Sequence, residues 1–229
     1  MKNIFLLLTF LIGIFESQAQ VMFQKYIEIN DNDCPRSVTN CNDGGYLIGG
    51  YSDLSQNYHM FMTKLNINGD TSWTRNYSGT SNELLYECGQ TSDGGYFIAG
   101  TVTNPTNATG DFLLAKTDSS GFVLWSNFYG MASNDGCWSA VETSDSGFIL
   151  LGEIQNSSQS ILIIKIDASG LVDWAKNINT IVSDHGSDVI QTNDGGYIIT
   201  GFSYSFGAGL TDIYLIKADA SLLFVAYDV

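Results

Sequence analysis

The chain has 229 residues, with 9 lysines and arginines against 24 aspartates and glutamates, and a formal net charge of −15. Nucleic-acid binding needs clustered cations, so this charge argues against a nucleic-acid partner and equally against an anionic membrane surface. About 210 residues follow an N-terminal signal without a linker, which is enough for one core, so we expect a single domain over 20–229.

Residues 1–19 have the pattern of a secretory signal peptide. Lys2 supplies the positive end, Ile4 to Phe15 the apolar stretch, and Ser17 to Ala19 the small-residue cleavage site. The apolar stretch is shorter than the roughly 20 residues that a membrane-spanning helix needs. We expect cleavage after Ala19 and a secreted, cell-surface or periplasmic protein that is not inserted in a membrane.

A glycine-rich turn followed by an aromatic residue occurs four times. The copies are DGGYLIGG from Asp43, DGGYFIAG from Asp93, DSGFILLG from Asp145 and DGGYIITG from Asp194, so they start 50, 52 and 49 residues apart. Glycine supplies the positive φ angles of a tight hairpin turn. A period of about 50 residues with several short β segments predicts the blades of a β-propeller. The repeats cover about 30–78, 79–130, 131–179 and 180–229.

Each repeat is predicted to hold four strands. The first ends at the turn, and the second begins with the aromatic residue and runs into a polar loop of variable length. The third is an apolar run, as in FLLAK from Phe112, which is typical of a strand buried on both faces. The fourth carries the aromatic residue of the repeat: Phe23, Trp73, Trp125 or Trp174. We expect an all-β propeller of about four four-stranded blades, the alternative being an open arc of a larger propeller.

The last copy is defective, because Leu222 and Ala226 stand where other copies have the second-turn glycine and the tryptophan. Propellers commonly close by borrowing a terminal strand. We therefore expect the Phe23 strand to pair with the Ile213 strand as the outer strand of the final blade. The open arc predicts instead exposed sheet edges, through which copies self-associate.

The pattern D-x-x-G-x-x-x-W (Asp118, Gly121, Trp125), combined with DGGY-x-I-x-G, resembles a family of secreted bacterial repeat propellers. The same segment resembles the tryptophan-docking motif of quinoprotein-type propellers. The resemblance covers nearly all of the chain after the signal and implies that each tryptophan packs one blade against the next. Many such proteins carry a C-terminal type IX secretion sorting domain. None is recognised before Val229, so anchoring by that route is not expected.

Acidic residues recur at two positions of the repeat. The turn acids are expected to cap their own backbone: Asp43, Asp93, Asp145 and Asp194. A second set precedes them by ten residues, where neighbouring blades join: Asp33, Glu83, Asp135 and Asp184. A ring of four carboxylates near the axis could hold a calcium ion through oxygen ligands. The alternative is that each carboxylate accepts hydrogen bonds from loop amides.

Seven of the eight cations after the signal recur with the repeat: Lys25, Lys64, Arg75, Lys116, Lys165, Lys176 and Lys217. They are expected to serve as cross-strand partners of nearby carboxylates. Only Arg36 lies outside the pattern. The chain therefore lacks the three arginines with which sialidase propellers clamp a substrate carboxylate.

The cysteines and histidines give little indication of a catalytic or metal site. The cysteines Cys34, Cys41, Cys88 and Cys137 permit disulfides in an exported chain. Cys88 occupies an apolar slot of the repeat, so a buried free thiol is expected there, and a Cys34–Cys41 pairing stays open. Neither His59 nor His185 has a neighbour at metal-ligand spacing, and no Gly-x-Ser-x-Gly elbow occurs.

Trp138 and Arg36, which the repeat does not explain, are the candidate ligand-binding residues. Two functions remain. One is a non-catalytic binding module that presents propeller-face loops to a glycan or a protein. The alternative is a carbohydrate-active enzyme that uses unidentified carboxylates. We favour the first, because it requires no chemistry that the sequence fails to provide.

Overall fold

The computed structural model describes residues 22–30, 32–54, 57–77, 79, 82–103, 109–130, 134–155, 159–178, 183–205 and 210–222. The signal predicted at 1–19 lies outside them and stays a prediction. Every regular element in the described ranges is a β-strand, which confirms the all-β prediction. Across these ranges there is no helix whose length and apolar character would let it span a membrane.

The strands form four antiparallel sheets in chain order. The first contains β1 (Asn32–Asn40), β2 (Tyr46–Leu54), β3 (Asn57–Leu65) and β4 (Thr71–Tyr77). The second contains β5 (Glu83–Gln90), β6 (Tyr96–Thr103), β7 (Gly110–Thr117) and β8 (Val123–Tyr129). The third contains β9 (Asn134–Glu142), β10 (Phe148–Gln155), β11 (Gln159–Ile166) and β12 (Val172–Ile178). The fourth contains β13 (Asp184–Gln191), β14 (Tyr197–Ser203) and β15 (Asp212–Ala218).

Each sheet packs face to face on the next, and three apolar cores lie between successive sheets. The apolar runs of β3, β7 and β11 supply the centres of these cores: Met62 lies between the first two sheets, Leu114 between the second and third, and Ile163 between the third and fourth. All three are completely buried. Burial of each such side chain stabilises the fold by roughly 1.5–3 kcal/mol. The four sheets are thus the blades of a β-propeller, as the repeat predicts.

The glycine-rich turns form as the sequence predicts. The residue after the turn aspartate has a left-handed backbone in every copy, with φ between 62° and 86°: Gly44, Gly94, Ser146 and Gly195. The aspartate carboxylate caps the turn, since Asp43 Oδ1 accepts a hydrogen bond from the Gly45 backbone at 2.9 Å. The same bond recurs in the other three turns. The expectation that these acids cap their own backbone is therefore confirmed.

The repeated lysines pair with the turn acids across the second and third strands. Their Nζ–carboxylate distances are between 2.7 and 2.9 Å: Lys64–Asp43, Lys116–Asp93, Lys165–Asp145 and Lys217–Asp194. The Lys64 side chain is 5% exposed and that of Lys165 is 6% exposed, so the carboxylates neutralise ammonium groups that the sheets have largely desolvated. These four lysines serve the scaffold, as the sequence predicts.

The tryptophan of each outer strand docks on the following sheet. Trp73 lies edge-on against Tyr96 with ring centroids 5.6 Å apart, and Trp125 and Trp174 contact Phe148 and Tyr197 in the same way, both at 6.1 Å. A Cβ added to Gly121 would come within 3.0 Å of the Trp73 ring, so the left-handed second-turn glycine also clears the space for the indole. The blade-to-blade packing that the resemblance implies is present.

The expected pairing of the Phe23 strand with the Ile213 strand is wrong. Residues 22–28 form no strand, and the Phe23 ring lies against the first sheet, 5.9 Å from the Tyr46 ring and in contact with Gly69. Lys25 fixes the segment there through Asp70 at 2.7 Å. Phe23 therefore occupies on the first sheet the position that a tryptophan occupies on each later sheet. The docked position is thus filled although the segment does not pair with β15.

The fourth sheet has three strands in the described part of the chain, and residues 223–229 lie outside it. Leu222 takes the place of the second-turn glycine with φ of 53° and is buried. A leucine in left-handed backbone is unfavourable by about 1–2 kcal/mol. The apolar core between the third and fourth sheets, which includes Leu222 and contacts Trp174, compensates for this strain.

Replacement of a docked tryptophan tests this packing. We expect Trp125→Ala to lower the free energy of unfolding by about 2–4 kcal/mol, because it opens a cavity at a blade interface. Leu124→Ala is the matched control, since Leu124 is the preceding residue and is 59% exposed. It should change the value by less than about 0.5 kcal/mol. Equal losses in the two variants, measured by urea unfolding, would contradict the docking role.

The lysine–aspartate pairs predict a pH dependence. The hydrogen bond from Lys116 Nζ, and then that from the Thr91 hydroxyl, lower the pKa of Asp93 to about 2. The unfolded value is about 3.9, so the ionised carboxylate stabilises the fold above pH about 4 and this contribution is lost as pH falls towards about 2. The stability difference between wild type and Asp93→Asn should shrink over that range. If urea titrations give the same stability difference between the two proteins at every pH, the proposed role of the Asp93 carboxylate is contradicted.

Candidate functional site

The first strand of every sheet carries a β-bulge at the same position of the repeat. The extra residues are Arg36, Tyr86, Trp138 and Ser187. Each bulge follows the residue that pairs with the last glycine of the repeated octapeptide: Gly50, Gly100, Gly152 or Gly201. A Cβ on any of these glycines would overlap a main-chain carbonyl oxygen of the bulged strand. The glycine therefore permits a bulge that re-aims one side chain per blade.

Three of the bulge residues form a continuous contact, here called the bulge strip: Arg36, Tyr86 and Trp138. The Tyr86 and Trp138 rings meet edge to face with centroids 4.7 Å apart. The Arg36 guanidinium carbon lies 5.5 Å from the Tyr86 ring centroid, and its Nη2 donates a hydrogen bond to the Tyr51 hydroxyl at 2.6 Å. The structure thus brings together both candidate residues of the sequence.

The strip contains more than the two candidate residues. Trp138 lies in strand β9, which continues through the bulge. Tyr86, which links the two candidates, was missed. The sequence does contain a signal for Tyr86. It lies 7 residues before the turn aspartate of its repeat, Asp93, just as Arg36 lies 7 residues before Asp43.

A cleft of about 380 Å³ opens beside Trp138 at the junction of the second and third sheets. Its wall combines the indole with hydroxyl, amide and carboxylate side chains: Thr101, Asn134, Glu153, Gln155 and Gln159. The Trp138 Nε1 is buried and has no hydrogen-bond partner among the described residues. The cleft therefore presents one aromatic wall and several convergent polar groups.

Glu153 is held in a fixed orientation at this wall. Its Oε1 lies 2.5 Å from His185 Nδ1, and its Oε2 accepts a hydrogen bond from Gln159 at 3.4 Å. The imidazole stacks on the Phe202 ring at 4.3 Å between centroids. The Glu153 and His185 side chains are 12% and 16% exposed. These contacts orient the carboxylate before any ligand arrives.

The second set of acids lies at the start of each first strand, and three of the four carboxylates accept hydrogen bonds from backbone amides. Asp33 accepts hydrogen bonds from the Ile29 and Asn30 amides, Glu83 from Gly79, and Asp184 from Tyr204, at 2.8 to 3.1 Å. Asp135 is buried, at 2% exposed. Burial raises the pKa of Glu83. The described residues contain no group of three or more histidines, cysteines or acids arranged to hold a metal ion.

The four cysteines are free thiols. The Cys34–Cys41 pairing, left open by the sequence, is therefore absent in this structure. Cys88 is 2% exposed, and burial raises its pKa to about 12, as expected for a thiol that serves as an apolar core residue. Burial also raises the pKa of the Cys41 and Cys137 thiols, which disfavours the thiolate at neutral pH.

No protein-family model and no curated protein matches the chain. Among solved structures, a GH43 β-1,3-galactosidase matches 76% of this chain and 40% of its own length at 8% identity and a TM-score of 0.42. The tail fibre of a Staphylococcus aureus phage matches 81% of this chain and 50% of its own length at 9% identity and a TM-score of 0.32. The chain thus spans half or less of either structure. Similarity this distant carries no conclusion about what the chain binds.

The environment of the four acids gives a direct test of the calcium hypothesis. Because Asp33, Glu83 and Asp184 accept hydrogen bonds from backbone amides, we expect the midpoint of thermal unfolding to be the same in EDTA and in millimolar calcium. Differential scanning calorimetry measures it. A midpoint that rises with calcium in wild type but not in Glu83→Gln would show that the acids bind the ion.

Proposed function

We propose that this chain is an exported, non-catalytic binding module that holds a glycan in the cleft beside the bulge strip. The observation that carries the proposal is the Trp138 indole as one wall of a cleft whose other walls are polar. A sugar ring has the same division, with an apolar C–H face and a rim of hydroxyl groups. The cleft volume of about 380 Å³ falls in the range of small-ligand sites.

The polar residues suit sugar hydroxyl groups. Asn134, Gln155 and Gln159 each carry an amide that can donate and accept, and Glu153 accepts only. Because His185 and Gln159 already orient Glu153, little side-chain freedom is lost when a ligand binds. A glycan is favoured over a protein partner because polar side chains and one indole line a concave site of small-ligand volume.

The enzyme alternative rests on two carboxylates, Asp135 and Glu153, that line the same cleft. Glycoside hydrolysis needs one carboxyl group as an acid and another as a base or nucleophile at the reacting bond. Here Glu153 is committed to His185 and Gln159, and Asp135 is buried. Binding without turnover is therefore favoured.

A glycan array with the chain from residue 20 onward, followed by calorimetric titration of the best ligand, tests the proposal. Trp138→Ala should weaken binding about tenfold or more, roughly 1.4 kcal/mol or more, because it removes the stacking wall. Tyr26→Ala is the matched control, since Tyr26 is 93% exposed and does not line the cleft. Its affinity should stay at the wild-type value.

Two outcomes would contradict the proposal. If no glycan on the array binds, or if Trp138→Ala binds as tightly as wild type, the cleft is not a glycan site. If the chain releases sugar products from a polysaccharide panel, and Glu153→Gln abolishes that release, the enzyme alternative replaces the binding module.

A further inference from the structure

The two ends of the row of sheets present exposed apolar faces. The tail face belongs to the fourth sheet and is formed by Ile190, Ile213 and Leu215, which are 51%, 89% and 66% exposed. The head face belongs to the first sheet and is centred on Val38, which is 70% exposed. Since both faces stay exposed, they do not cover one another within one chain.

The corresponding positions in the other sheets are interface positions. The residues equivalent to Ile213 and Leu215 lie four and two positions before the repeated lysine and are 0 or 1% exposed: Met60, Met62, Phe112, Leu114, Ile161 and Ile163. The residues equivalent to Val38 are 2 to 5% exposed: Cys88, Ala140 and Val189. In each case the next or the preceding sheet covers them. The tail and head faces therefore carry the two halves of the interface that the chain builds three times internally.

The N-terminal segment completes the match. In the first three sheets the docked tryptophan pairs with the repeated lysine of the neighbouring third strand: Lys64↔Trp73, Lys116↔Trp125 and Lys165↔Trp174. Phe23 holds the docked position on the first sheet, but no third strand lies beside it among the described residues. A tail face seated on this head would place Lys217 of β15 opposite Phe23, so that the segment becomes the fourth strand of the incoming sheet.

Polar groups at the ends match in the same way. At each internal interface, a backbone amide in the glycine-rich turn of one sheet donates a hydrogen bond to the side chain of the last residue in the first strand of the following sheet. The three bonds run from Asn42 to Gln90, from Ser92 to Glu142 and from Ser144 to Gln191, at 2.7 to 2.8 Å. Asn193 stands at the donor position of the tail face. Asn40, whose amide oxygen is an acceptor, stands at the acceptor position of the head face.

We infer that the tail face docks on the head face of a second copy of this chain. The contact is head to tail, so it uses different surfaces on the two copies. Each association leaves one head and one tail face available, and further copies add as the concentration rises. The inference does not depend on the glycan proposal.

Sedimentation velocity of residues 20–229 over a wide concentration range tests the inference. The wild-type weight-average mass should rise towards and past twice the monomer mass. The tail-blocked variant Ile213→Lys with Leu215→Lys and the head-blocked variant Val38→Lys should each remain monomeric. Leu124→Lys is the matched control, because Leu124 is also exposed, at 59%, but lies on an outer strand outside both faces. It should associate as wild type does. Circular dichroism confirms that each variant is folded.

A mixture of the two blocked variants separates this inference from other modes of association. Each variant keeps one intact face, so an equimolar mixture should form a dimer and stop there. A wild-type chain that stays monomeric at every concentration would overturn the inference. So would association of wild type that both blocked variants retain, or blocked variants whose mixture stays monomeric.

Discussion

The structure depends on the docking of one aromatic residue per repeat into the turn of the following sheet. Trp125 lies against Phe148, and the left-handed Gly170 beneath it has no side chain that would displace the indole. The contact joins residues 23 to 48 positions apart, so the entropy of closing each loop is modest. Each blade is therefore stabilised chiefly by its neighbours, and the stability of the arc accumulates from one interface to the next.

The same scaffold separates stability from function. The last glycine of the octapeptide permits a bulge in each first strand, and the residue at the bulge varies from blade to blade while the surrounding pattern stays fixed. Arginine, tyrosine, tryptophan and serine occupy four equivalent positions. A set of side chains can therefore change at one end of the blades without any change in the docked aromatics or the lysine–aspartate pairs.

The sequence predicted the fold because spacing alone determines it. The four turns, the apolar third strands and the capping acids all have local causes, and each appears where expected. The bulge strip was harder to predict, because a bulge shows only as one extra residue between two paired strands. The position of Phe23 could not be predicted from pattern matching, because the same spacing fits both a segment docked alone on the first sheet and a strand paired with β15. The residue after the second-turn glycine also differs between sheets. It is Asp70 in the first sheet, where it pairs with Lys25, but Phe122 and Leu171 in the next two.

Amide hydrogen exchange of the chain at high dilution tests most directly the claim that docking on both faces stabilises each sheet. Slow exchange is expected in the second and third sheets, which have a docked sheet on each side. Strands β1 and β15 should exchange faster, since Val38 and Ile213 are exposed where their equivalents are buried. Protection of β15 equal to that of β7 and β11 would contradict the account.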